Sequence, residues 1–153
     1  MQLRVIAVGK VRERYLDAAL ADFRERLRPY HRLEEIELRS ADGSDPARAM
    51  RSEGEAILAQ LAPDDVVWLL DPRGELFDSP ELARRITQFP HDGVARLTLV
   101  IAGTYGAADA VIARANLRWS LSPLTFLHGW ARVLVLEQLY RAAKIARDEP
   151  YHH

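Results

Sequence analysis

Apolar runs of strand length recur along this chain, and almost every one is followed by a segment with helical spacing. LRVIAVG (3–9) is a continuous apolar run, and an amphipathic segment near 12–29 follows it and ends before Pro29. LEEIELR (33–39) alternates at period two, as a half-buried strand does. ADGSDP then forms a loop in which Ser44 or Asp45 is placed to cap a helix with Pro46 at its first position, running to about Leu61. DVVWLL (65–70) is a strand, DPRGELF a turn or loop, and SPELARRITQF (79–89) a helix capped by Ser79 with Pro80 at its start. RLTLVIAG (96–103) is a fully apolar strand, followed by a Gly-bearing loop and a helix near 108–116. WSLSPLTF (119–126) is partly extended and broken by Pro123, and the last helix covers roughly 130–147. Strands that are apolar throughout and alternate with helices predict a mostly parallel sheet with helices on both faces. No repeat, low-complexity tract or linker interrupts the pattern, so residues 1–153 read as one α/β domain.

The chain has no cysteine, which removes disulfides, thiol chemistry and Cys-built zinc sites and fits a reducing, cytoplasmic setting. MQLRVIAVGK has no basic leader or small-residue cleavage site, so the start reads as a strand and not a signal peptide. No apolar stretch approaches the roughly 20 residues needed to span a bilayer. The formal net charge of -1 excludes a general polyanion binder, so any contact with nucleic acid must come from a local patch. Two segments carry a local +3. Residues 10–32 hold seven basic and four acidic side chains, and 110–153 hold six and three. Solvated helix faces with i,i+4 pairs explain this as well as an RNA-facing surface does.

The last helix contains Val133, Leu134, Val135 and Leu136 in succession. Adjacent apolar residues point all the way round a helix, so this one is expected to be buried on most sides. A sheet covers one side, and a partner subunit is expected on another.

In open α/β sheets ligands bind outside the carboxyl ends of the strands. Three segments are predicted there: LLDPRG (69–74), IAGTYGAAD (101–109) and SLSPLTFLHG (120–129). Gly103 and Gly106 would permit positive φ or close approach of backbone to a ligand. The dinucleotide fingerprint, the Walker A pattern, the nucleophile elbow and the zinc helix are all absent from the sequence. His128 stands four residues ahead of Arg132, and the chain ends in Pro150-Tyr151-His152-His153, where small polar residues are the norm.

SLSPLTFLHGWARVLVLEQLYRAAKIARDEPYHH (120–153) closely resembles the C-terminus of the ribosomal RNA large-subunit methyltransferase H family, a small branch of the SPOUT class. The matching residues are Ser120-Leu121-Ser122, Thr125, His128, Arg132, Glu137 to Ala142, and Pro150-Tyr151-His152. The opening strand, LLDPRG and the overall length match as well. The chain departs from the family pattern at Ala102 and Tyr105 in the Gly-bearing loop, and at Gly129-Trp130-Ala131 after the histidine.

The resemblance implies a C-terminal trefoil knot, a homodimer, and methyl transfer from S-adenosylmethionine to N3 of a pseudouridine in 23S ribosomal RNA on the assembled ribosome. It implies a cofactor site at Leu70, Asp71, Gly103, Gly106, Leu121, Ser122, Pro123, Leu124, Thr125, Phe126 and Leu127, and no metal. His128, Arg132, Tyr151 and His152 are the expected catalytic residues. His128 or His152 would take the N3 proton, or Arg132 would stabilise the developing anion. The tail would reach the partner subunit's cofactor loops. The alternatives are a non-catalytic RNA- or ribosome-binding module on the same fold and, behind it, a different small-molecule α/β enzyme.

Overall fold

A computed structural model describes residues 1–41, 43 and 45–153. Its elements are β1 (Gln2–Val8), α1 (Arg14–Leu27), β2 (Arg32–Leu38), α2 (Pro46–Leu58), β3 (Val66–Glu75), α3 (Ser79–His91), β4 (Arg96–Ile101), α4 (Asp109–Arg114), β5 (Leu117–Trp119) and α5 (His128–Ala146). All strand pairings are parallel, in the order β2-β1-β4-β3-β5.

The period of two along the apolar strands divides the core. Leu3, Val5, Ala7, Trp68, Leu97, Leu99 and Ile101 turn to the face covered by α1, α3 and α5. Ile6, Val8, Val67, Leu69 and Val100 turn to the other face, under α2 and α4. A half-buried sheet would show polar residues at alternate positions, as the edge strand β2 does; β1, β4 and the first part of β3 are covered on both faces and read as continuous apolar runs. No helix among the described residues is long and apolar enough to cross a membrane.

Several local expectations need correction. Asp78, not Ser79, caps α3: its carboxylate accepts the Glu81 amide at 2.8 Å, while the Ser79 hydroxyl donates to Gln138 at 2.6 Å. Adjacent Asp and Ser compete for the cap, and the charged acceptor makes the stronger bond to an amide. Asp45 caps α2 by accepting from the amides of Ala47 and Arg48; Ser44, the other candidate, lies outside the described residues. α2 ends at Leu58 rather than Leu61. α5 starts at His128 rather than at 130. Of the partly extended segment expected at 119–126, only Trp119 lies in a strand, β5 at Leu117–Trp119, and 120–127 is irregular.

The largest difference concerns DPRGELF. β3 pairs with β5 at Leu70↔Trp119 and again at Glu75↔Trp119, so residues 71–74 bow out of the ladder and the chain then rejoins it. Asp71 holds the bow, accepting the Arg73 amide at 2.9 Å and the Arg118 guanidinium at 2.5 and 3.0 Å. Phe77 then stacks on Trp119 with ring centroids 5.5 Å apart.

α5 lies between α1 and α3, and this changes the argument for a partner. Val133, Val135 and Leu136 are buried by the sheet and the flanking helices of the same chain. Only Leu134 stays half-buried on the outer side, one turn from the exposed Trp130. Gly129 is needed for this packing, because a Cβ there would lie 2.9 Å from Leu16 Cδ1 on α1.

Candidate functional site

The three loops predicted at strand ends do lie there. Residues 71–74 follow the first part of β3, 102–108 follow β4, and 120–127 follow β5, the three neighbouring strands on one side of the sheet. Leu70 is half-buried and packs against the core under α1, α3 and α5. Burial would push the Asp71 carboxyl up, but the Arg73 amide and the Arg118 guanidinium outweigh it and hold that carboxyl below the usual range. Asp71 is thereby committed to the loop itself.

Gly106 supplies the turn, with φ +87 and its amide donating to the Gly103 carbonyl at 3.0 Å. Gly103 has a different reason for being bare. A Cβ there would lie 2.3 Å from Glu53 Oε2, so its space is filled by a carboxyl group of the same chain. Tyr105 is exposed, so its bulk does not fill the crevice.

In the third loop the Ser122 hydroxyl accepts the Leu124 amide at 3.1 Å and folds the chain around Pro123. Thr125 is exposed and Leu121 half-buried. Leu124, Phe126 and Leu127 are exposed at 69%, 37% and 52%, which is apolar surface available to a ligand or to another protein surface. Ser120, which sequence reasoning left out of the site, is buried and ties this loop to the first: its hydroxyl donates to the Pro72 carbonyl at 3.1 Å, and its amide to Glu75 at 2.9 Å.

The four candidate catalytic residues fall into two groups. His128 opens α5, and its Nε2–H donates to the Lys10 carbonyl at 2.9 Å, which leaves Nδ1 as the acceptor nitrogen. Arg132, one turn on, is buried. Its Nη1 donates to Glu37 at 2.9 Å and Nη2 lies 3.7 Å from Glu35, while Nε has no partner among the described residues. The expected role in stabilising an anion therefore meets two carboxylates from β2 that already neutralise this guanidinium.

Tyr151 and His152 form the second group. Asp148 adopts φ 53 and turns the chain back, so that Tyr151 docks on its own α5. Its ring meets Tyr140 edge-on at 4.8 Å and lies under the Arg141 guanidinium at 4.7 Å, and its hydroxyl donates to Glu137 at 3.1 Å. Burial pushes its phenol upward, and the Glu137 charge adds to this. Arg141 also donates to His152 Nδ1 at 3.4 Å. His152 rims a cleft of about 440 Å³ with Phe77, Ser79, Trp119, Leu121 and Gln138. Positions 128 and 137 are nine residues apart on one helix, hence about 13 Å along the axis and on opposite faces. A single chain does not bring the two groups together.

Of the groups missed, Glu137 and Arg141 were legible only as part of a motif. Glu53 carried its own signal: Ala49, Glu53 and Ile57 share one stripe of α2 at four-residue spacing, and two of the three are plainly core residues.

Residues 1–152 match the family described as "predicted SPOUT methyltransferase". The chain belongs to the SPOUT methyltransferase family. Curated relatives align with this SPOUT chain from end to end. One from Pelobacter propionicus is 47% identical over 153 residues, all of both chains. One from Nitratidesulfovibrio vulgaris is 43% identical over 152 residues, 99% of this chain and 98% of its own. One from Gloeobacter violaceus is 42% identical over 153 residues, 100% and 99%. All three carry the name ribosomal RNA large subunit methyltransferase H.

The site fits the sulfonium methyl donor such transferases use. Three loops offer backbone groups and exposed apolar side chains, and a largely buried carboxyl, one of whose oxygens accepts from no described residue, stands beside the middle loop.

Proposed function

We propose that this protein transfers a methyl group from S-adenosylmethionine to N3 of a pseudouridine in 23S ribosomal RNA, acting in the cytoplasm on the assembled ribosome as a knotted homodimer. The observation that supports the reading is the end-to-end likeness to relatives named as large-subunit ribosomal RNA methyltransferases. The C-terminal motif that carries the family resemblance corresponds here to the 120–127 loop, α5 and the docked tail. The stretch 120–127 crossing beside the bowed 71–74 segment supports the knot. The exposed Leu124, Leu127, Trp130 and Tyr15, with the last two rings 6.0 Å apart, support a dimer face.

When bound, S-adenosylmethionine supplies an electrophilic methyl on sulfur. The backbone of residues 102–106 and 121–127 would hold the donor, with Leu124 and Phe126 as apolar walls. The chain must then orient the base and accept its N3 proton as the N–CH₃ bond forms. His128 is suited to accept it through Nδ1, because the Lys10 carbonyl fixes its other nitrogen as the protonated one. Tyr151 and His152 position the target from the partner subunit, since within one chain they lie on the wrong face of α5. Arg132 keeps α5 seated against β2 through Glu37 and Glu35. Holding donor and acceptor in line supplies up to roughly 7–11 kcal/mol of the barrier.

The test is methylation of ribosomes that lack the modification, using methyl-labelled donor and mass mapping of the product. One methyl at a pseudouridine N3 is expected, with a free rRNA hairpin a poor substrate because the chain is nearly neutral. Ribosome binding without donor binding would instead establish the non-catalytic module.

A further inference from the structure

Glu53 is a glutamate on the buried stripe of α2, and 6% of its surface is exposed. Oε1 accepts a long hydrogen bond from the Ala41 amide, 3.3 Å. Among the described residues Oε2 accepts none, and no basic side chain lies within ion-pair distance of either oxygen. The carboxyl occupies the space over Gly103, where a Cβ would come within 2.3 Å of Oε2. It is held there from behind, because a Cβ on Gly54 would lie 2.8 Å from the Cβ of Ala108, leaving α2 no room to shift.

Its place in the fold is informative. Ala41 follows β2 and Gly103 follows β4, so the carboxyl bridges the chain segments that flank the carboxyl end of β1. At β1 and β4 the connections leave toward opposite faces of the sheet, which is where open α/β sheets form their ligand crevice. Oε2 thus accepts from no described residue, and a carboxyl on a residue only 6% exposed is favoured by a positive group beside it. A divalent metal is a poor candidate, since no cluster of three metal-ligating side chains exists among the described residues. An organic cation needs only the one carboxyl.

We propose that Glu53 is the counter-charge for the positively charged part of the methyl donor and sets the preference for a cationic ligand at the 103–106 loop. This rests on the reading of the protein as an S-adenosylmethionine-dependent enzyme. The donor carries two positive groups, the sulfonium and the ammonium, and its demethylated product S-adenosylhomocysteine keeps only the ammonium.

Calorimetric titration of wild type, Glu53→Gln and Gly103→Ala with both compounds tests this. Glu53→Gln keeps the shape and the acceptor for Ala41 but removes the charge. It should weaken S-adenosylmethionine by about tenfold or more, as loss of a charge-assisted contact does, while the ligand-free protein melts no lower than wild type. An equal loss for the product assigns the ammonium, and a loss confined to the donor assigns the sulfonium. Gly103→Ala, which keeps the charge but displaces Oε2, should weaken the donor in the same way. Unchanged affinity in both variants overturns the proposal and leaves Glu53 as a packing residue. If wild type binds neither compound, the methyl-donor reading itself has failed.

Discussion

Gly74→Ala adds one methyl group where β3 and β5 meet. The glycine does not need a left-handed backbone; its bareness serves close approach alone. A Cβ would lie 2.4 Å from the Arg118 oxygen, 2.6 Å from the Arg118 carbonyl carbon and 2.9 Å from the Trp119 nitrogen, all backbone atoms. Ordinary contact begins at 3.4 Å, so the two strands must part by about 1 Å. That displacement stretches the Ser120 amide bond to Glu75, at 2.9 Å, and the Ser120 hydroxyl bond to Pro72, at 3.1 Å. At about 1 kcal/mol for each bond and about 1–3 kcal/mol for overpacking, the expected loss is about 3–5 kcal/mol. A domain holds about 5–15 kcal/mol in total, so the effect would be large. Urea denaturation read as a midpoint shift at constant slope measures it. Gly93→Ala is the control: with φ +77 and no atom within 4 Å, it should cost only the backbone strain, about 1–2 kcal/mol. A Gly74→Ala loss under about 1 kcal/mol would refute the reasoning, because the strands would then have room to separate without losing their bonds.

Arg132→Ala should destabilise by about 1–3 kcal/mol, since it removes a buried guanidinium from Glu37, which is partly exposed, and from Glu35, which keeps Arg24; thermal melts beside activity assays would separate this from a chemical role. Burial first, then the N-terminus and Arg147, hold the His31 imidazole below its usual 6.5 in the folded chain. The unfolded chain therefore takes up the proton first, so stability is full above about pH 6.5 and falls as the pH drops below it; His31→Asn should lose less stability between pH 7 and 5 than wild type does. Lys10, Arg12 and Arg14 are exposed and make no ion pair among the described residues, beside the ring pair of Tyr15 and Trp130. Changing all three to Gln should weaken ribosome binding and lower its salt slope by about two to three, whereas an unchanged slope places the RNA elsewhere. Mixing a chain truncated after Asp148 with a Gly103→Val chain should restore about a quarter of wild-type turnover if sites are shared across a dimer; heterodimers that restore nothing would show that each subunit works alone.

The parallel sheet was legible because the three central strands, β1, β4 and the first part of β3, are apolar on both sides, a pattern that few folds other than a covered sheet can use. Caps were less so. Asp78 and Ser79 both satisfy the local rule, and the choice depends on Gln138, fifty-nine positions away, which takes up the serine hydroxyl. The bow at 71–74 was hidden because DPRG reads as a turn, and only the return to Trp119 makes it an excursion within a strand. The partner inferred from Val133 to Leu136 was argued from a helix with one covered side; α1 and α3 cover two more, and no periodicity within α5 could announce its neighbours. The loop positions of the candidate site followed from strand ends. What each side chain does there did not, since Arg132, Asp71 and Gly103 are engaged by Glu37, Arg118 and Glu53 from distant parts of the chain.

Both groups of candidate catalytic residues are carried by α5, one at its first turn and the other docked on its later turns. A rigid helix fixes their separation and their phase together, so neither can be adjusted by a side-chain rotation. Adding one residue between Val133 and Leu136 would advance the docking surface for Tyr151 by about 1.5 Å and swing it by about 100° around the axis. The loops at either end can change length without disturbing that relation. The helix therefore behaves as a gauge bar cut to one setting, and the geometry of any active site built from two such bars is determined before substrate arrives.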